Sequence, residues 1–290
     1  MTDWWTSLFS FENYGELVVL LHNSILAGAI LGVVGGLIGV FVVARDMPFA
    51  VHGISELSFA GGSAGLLFGI GVIPGALAGS ILAALLIGLL GTRARHRNSI
   101  TAVIMPFGLG LGILCLSLYS GRSSNKFGLL TGQIVAVDDP QIGALAVISV
   151  IVIAGLLIIW RPLMFASVDA DVAAARGVPT RTLSLIFMLL LGLAAAVSVQ
   201  IVGALLVLSL LVTPAAAALR VSSSPILVPI LSVCFAVFST VGGILLALGG
   251  SIPISPYVTT ISFAIWVVCT LIARARRCAE TARVAEPVAA

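Results

Sequence analysis

The chain has 290 residues, 60% of them hydrophobic and 9% charged, with a mean hydropathy of +1.24 and a formal net charge of +3. A water-soluble domain needs about 25% charged residues to solvate its surface, so a soluble globular enzyme is excluded. The apolar residues arrive in runs of about 20, enough for a helix to cross a hydrocarbon core about 30 Å thick, and not in the alternating strands of an outer-membrane barrel.

In chain order, residues 1–15 are an N-terminal segment expected on the extracytoplasmic side. It carries Asp3 and Glu12 but no Lys or Arg, so it lacks the basic start of a cleaved signal peptide. Apolar runs then predict spans at 16–44, 48–69, 71–91, 99–120, 140–160, 182–199, 201–219, 225–248 and 257–273. The expected fold is an all-α polytopic bundle of nine transmembrane helices, or eight if the long apolar stretch around Ser198, Val199 and Gln200 does not break. Gly28, Gly32 and Gly36 in the first span, and Gly108 and Gly112 in the fourth, stand four apart. Small residues at that spacing let helix backbones approach closely in lipid, so they read as packing surfaces of a permease domain covering 16–273. The longest inner connection, 161–181, contains Asp169 and Asp171, then VAAAR, then Gly177 and Pro179. Acidic residues at the start, small residues within and glycine after the last turn describe a short helix along the membrane surface. Residues 274–290 form a tail at the same side, expected to be disordered from Cys278 on.

Basic residues are retained on the cytoplasmic face. With the N-terminus outside, the inner segments hold 12 of the 14 Lys and Arg residues, leaving only Arg122 and Lys126 outside. The net charge is therefore topological and implies no nucleic-acid partner. The expected topology puts the C-terminus in the cytosol.

A phosphate-cradling GxxxxGK loop needs a lysine among glycines. Lys126 in SSNKFG is the chain's only lysine and has no such frame, so any ATP hydrolysis belongs to another subunit. Gly61–Gly65 reads GGSAG and formally matches GxSxG, but the only histidine after Ser63 is His96, in the basic loop RARHR, which makes a poor base for a serine nucleophile. Cys115, Cys234, Cys269 and Cys278 are scattered and read as packing residues.

The informative pair is His52 and Glu56 in PFAVHGISELSFAGG. Four residues apart, they share one face of an α-helix. Pro48 suits that helix's first turn, and at about 1.5 Å per residue Glu56 lies roughly 12 Å deeper, near the bilayer midplane. A carboxylate there needs a partner, water or a cation. An imidazole and a carboxylate on one face form a half-site for Mn²⁺ or Zn²⁺; equally, the two side chains can bond to each other or to neighbouring helices in a structural role.

At these residues the sequence resembles the permease subunit of the ABC transporters for manganese, zinc and iron, the ABC-3 family. GLIGVFVVARDMPFAVHGISELSFAG, FGLGLGIL, LLTGQIVAV, SVDADVAAARGV and VGALLVLSLLVTPAAAAL resemble the family's motifs in the family's order, over nearly the whole chain. His52 stands where the family usually has Asp and Glu56 where it usually has His, a reversed pair that keeps one imidazole and one carboxylate. Where many members carry Asp at the start of the fourth span, this chain has Asn98, a neutral and weaker ligand and an additional pathway residue.

The resemblance implies a homodimer of permeases in the bacterial plasma membrane importing Mn²⁺, with Zn²⁺ next, and no permanently bound cofactor. It implies a cytosolic ATPase dimer docked on a coupling segment comprising Asp169, Asp171, Ala173, Arg176 and Gly177. It further implies an extracytoplasmic metal-binding lipoprotein, received by loops 121–139 and 249–256. The alternatives are an ABC permease for iron chelates or a vitamin, and a secondary transporter coupled to protons through Glu56. The 7% aromatic content argues against the wide, aromatic-lined cavity that the first of these would need.

Overall fold

In the computed structural model, residues 15, 18–19, 21–91, 94–121, 137–248 and 254–285 are described. Their regular structure is entirely helical. The elements are α1 (His22–Ala44), α2 (Pro48–Leu67), α3 (Val72–Leu90), α4 (Ala94–Leu118), α5 (Asp139–Val168), α6 (Ala170–Ala175), α7 (Thr180–Val202), α8 (Ala204–Val221), α9 (Leu227–Ala247) and α10 (Ile254–Ala285). Seven are long and apolar enough to cross a membrane: α1, α3, α4, α5, α7, α9 and α10. The other two long helices are α8, which is shorter, and α2, whose interior carries His52 and Glu56.

The glycines predicted to pack do so. A Cβ on Gly32 or Gly36 would sit against the α9 backbone at Val237 and Val233, and one on Gly28 would strike Ile244. Across that seam the Ser232 hydroxyl donates to the Gly36 carbonyl (2.7 Å) and the Thr240 hydroxyl to the Gly28 carbonyl (2.9 Å). Each such interhelical bond contributes about 0.6 kcal/mol in a membrane, and both require the closeness that glycine permits. Gly108 and Gly112 hold α4 against α2, facing the backbone of Glu56 and the ring of Phe59.

Four boundaries differ from the sequence expectation. The stretch around Ser198–Gln200 does break, but at Gly203, whose φ of 83° is a left-handed conformation suited to glycine. Helix α5 continues past residue 160 to Val168, through Pro162. Helix α4 begins at Ala94, so Arg97 belongs to it and not to a solvated loop. Helix α10 runs to Ala285, which corrects the expectation of disorder from Cys278: RARRCAETARVA is rich in good helix formers. The expected receiving loops lie largely outside the described residues, at 122–136 and 249–253, as do 1–14 and 286–290.

Candidate functional site

Helix α2 is aimed by the turn that precedes it. Asp46 holds a φ of 52°, and the Met47 N–H donates to the Val42 carbonyl (2.8 Å), reversing the chain directly into Pro48. Arg97, only 8% exposed, donates from Nη2 to the carbonyls of Arg45 (3.1 Å) and Asp46 (3.0 Å). It thereby covers carbonyls that the end of α1 leaves without helical partners. One turn further along α4, the Thr101 methyl group faces Gly53. These contacts fix the depth and rotation of α2.

Within that frame His52 and Glu56 come together. Nε2 of His52 lies 3.7 Å from Oε1 of Glu56, facing it beyond hydrogen-bond distance. The Glu56 side chain is 3% exposed and that of His52 27%. Glu56 Oε2 and His52 Nδ1 are both buried with no hydrogen-bond partner. Buried polar atoms are normally satisfied, because leaving one unpaired costs roughly 1–3 kcal/mol. Asn98 lies one turn before Thr101 on α4, its Oδ1 likewise buried and unpaired. Among the described residues no group of three or more His, Cys, Asp or Glu side chains is gathered as a metal cage. Ser63, in the GGSAG string, donates to the Phe59 carbonyl of its own helix (2.8 Å).

The residues predicted to couple to an ATPase form one compact unit. Asp169 caps α6, its Oδ1 accepting from the N–H groups of Asp171 and Val172 at 3.0 Å each. At the other end Gly177, with φ 85°, donates to the Ala174 carbonyl, and Val178 N–H reaches back to Ala173, each at 3.0 Å. This is a Schellman closure, which calls for the left-handed residue that glycine supplies. Ala173 is fully buried against the bundle, while Asp171, Val172, Ala174, Ala175 and Arg176 face outward. Replacing Asp169 by alanine should cost about 1 kcal/mol of local helix stability, read as faster amide exchange over residues 170–176 with α7 unaffected.

The sequence reading missed the cluster at this end of the bundle. Arg45 and Arg97 are two of the 12 inner basic residues, which in the sequence mark orientation alone. Arg45 in fact donates from Nη2 to the Ser184 hydroxyl (3.0 Å) and lies over the Phe187 ring, 5.7 Å from its centroid. Burial, and then the neighbouring Arg97 guanidinium, lower its pKa from the usual arginine value. The RARHRNS run held no sign that its third arginine turns inward.

The Listeria innocua manganese transport system membrane protein MntC is 31% identical over 68% of this chain and 71% of its own length. The Streptococcus parasanguinis manganese import system permease protein ScaB is 26% identical over 89% and 92%. The fold is shared with PsaBC from Streptococcus pneumoniae, solved in complex with Fab, at a TM-score of 0.79 and 23% identity, covering 88% of this chain and 94% of that one. The model of the ABC 3 transport family matches residues 18–273, and the chain belongs to that family.

Proposed function

We propose that this chain is the membrane permease subunit of an ABC importer for divalent transition-metal ions, Mn²⁺ first and Zn²⁺ next, with ATP hydrolysed by a separate subunit. One observation carries the reading. A half-buried histidine and a buried glutamate, one turn apart inside a membrane bundle, each keep one buried ligand atom without a protein partner, in a chain similar to manganese permeases. His52 and Glu56 hold the partly dehydrated ion in passing, and Asn98 adds a neutral oxygen along the path. A site of two strong ligands per chain suits a permease, where binding must replace hydration yet still release. A second copy of the chain supplies the facing half of the pathway. The N-terminus lies outside and the α6 end in the cytosol, in keeping with the distribution of arginine. There α6 docks on an ATPase dimer, and a metal-binding lipoprotein delivers the ion from the opposite side.

The test is manganese uptake in cells lacking their own importers, with this chain expressed beside its ATPase and binding protein. Accumulation should stop when the ATPase is inactivated and persist in the presence of a protonophore under maintained ATP. The opposite pattern would establish the proton-coupled alternative, and uptake of chelated iron without free Mn²⁺ the chelate alternative. For the docking unit, Gly177→Val forces a β-branched residue into a left-handed conformation and should abolish co-purification of the ATPase or its stimulated hydrolysis. Retention of both would reduce α6 to a connecting helix.

A further inference from the structure

At the α6 end of the bundle, a cavity of about 690 Å³ lies where α1, α3 and α5 end and α6 and α7 begin. Its walls carry three arginines, Arg45, Arg97 and Arg181, against a single acidic residue, Asp46. None of the three arginines is ion-paired with a carboxylate among the described residues. Arg97 is more than nine-tenths buried, yet its Nε has no acceptor, and neither has the buried Nη1 of Arg45. Carbonyl oxygens and the Ser184 hydroxyl take other N–H groups of these side chains but bring no negative charge. Thr180 and Thr182 place hydroxyl-bearing side chains on the same walls. Asp46 favours the charge of Arg97 electrostatically but lies beyond ion-pair distance; a buried guanidinium without a paired anion is costly, and its forked N–H geometry matches the oxygens of a phosphate.

We propose that this cavity binds a phosphate-bearing anion, seated between Arg45, Arg97 and Arg181. The apolar helices α1 and α3 end at its rim, with Ala44 and Leu89 in its lining. That is the level at which an anionic lipid presents its headgroup, and basic pockets between helices on the cytoplasmic side are suited to such groups. A free phosphate offers the same oxygens without the acyl chains.

Equilibrium binding to the purified full-length chain in detergent distinguishes the two sources. Phosphatidylglycerol should bind saturably at one site per chain, with phosphatidylcholine failing to compete. Arg181→Gln and Arg45→Gln should each weaken that binding by about tenfold or more, the effect expected from losing one charge-assisted hydrogen bond. Arg181 is exposed in the first turn of α7, so its variant keeps the test independent of folding at Arg45 and Arg97. If inorganic phosphate binds with the same dependence on both arginines while the lipid does not, the site stands and its ligand is the soluble anion. Absence of binding by either probe, or binding unchanged in a folded Arg181→Gln chain, overturns the proposal.

Discussion

Replacing Glu56 by alanine should leave the chain inserted, assembled and at least as stable as the parent, while manganese accumulation falls to that of cells without the permease. The two effects have opposite signs for one reason. Glu56 is almost fully buried, faces His52 without a hydrogen bond and leaves Oε2 unpaired, so in the empty protein it is a burden. Removing a buried polar group that has no hydrogen-bond partner relieves a desolvation cost of roughly 1–3 kcal/mol, which offsets the cavity that alanine leaves. Removing a ligand weakens metal affinity by at least the roughly 10- to 100-fold seen for groups that merely support one. A thermal unfolding curve and an uptake assay on the same preparation separate these outcomes. Glu56→Gln should fail like alanine, because an amide keeps the shape without the charge. The reciprocal exchange, His52→Asp with Glu56→His, should restore a measurable part of the uptake, since it again places one imidazole and one carboxylate on the same face. Undiminished accumulation of both Mn²⁺ and Zn²⁺ in Glu56→Ala would remove the pair from the pathway.

Gly61→Leu should be among the most damaging single changes outside the pair. A Cβ at Gly61 would fall on the Gly75 carbonyl and lie 2.9 Å from the Gly79 Cα, so backbone meets backbone and no flexible side chain can yield. Overpacking typically costs 1–3 kcal/mol, and a rigid contact belongs at the upper end. For a chain of this size that is a fall of about 10 °C in the unfolding midpoint. Helix α3 would be pushed from α2, breaking the bond from the Ser58 hydroxyl to the Ala76 carbonyl (3.1 Å) and displacing Glu56 five residues away. Gly110→Ala is the control, because nothing lies within 4 Å of a Cβ there. Its midpoint should equal or slightly exceed the parent's. A Gly61→Leu chain that unfolds like the parent would show that α2 and α3 separate readily.

Much of the arrangement is legible in the amino-acid order, for identifiable reasons. Long apolar runs announce helices because lipid offers the backbone no other hydrogen-bond partners. Asp169 and Gly177 announce the two ends of α6, since a side-chain cap and a left-handed residue are local requirements. His52 and Glu56 stand out because ionisable groups are so few. What hydropathy hides is where one apolar run yields to another: Ser198, Val199 and Gln200 look like the more polar break, but the conformation needed for the turn falls to Gly203. It is equally blind to polar groups that turn inward from a loop-like run. Arg97 reads as surface charge because the carbonyls it meets, at Arg45 and Asp46, belong to residues some fifty positions earlier.

The glycine seam between α2 and α3 also has a mechanical consequence. Gly61 and Gly65 meet Gly71, Gly75 and Gly79 along both halves of the crossing, with no side chains between them to change rotamer and let one helix slide on the other. The two helices therefore pack as one tight unit, with His52 and Glu56 both on α2. On the proposed function, alternation of access then falls to shear or tilt where side chains interdigitate, as on the faces that α2 shares with α7 and α8, around a ligand pair held on one packed unit.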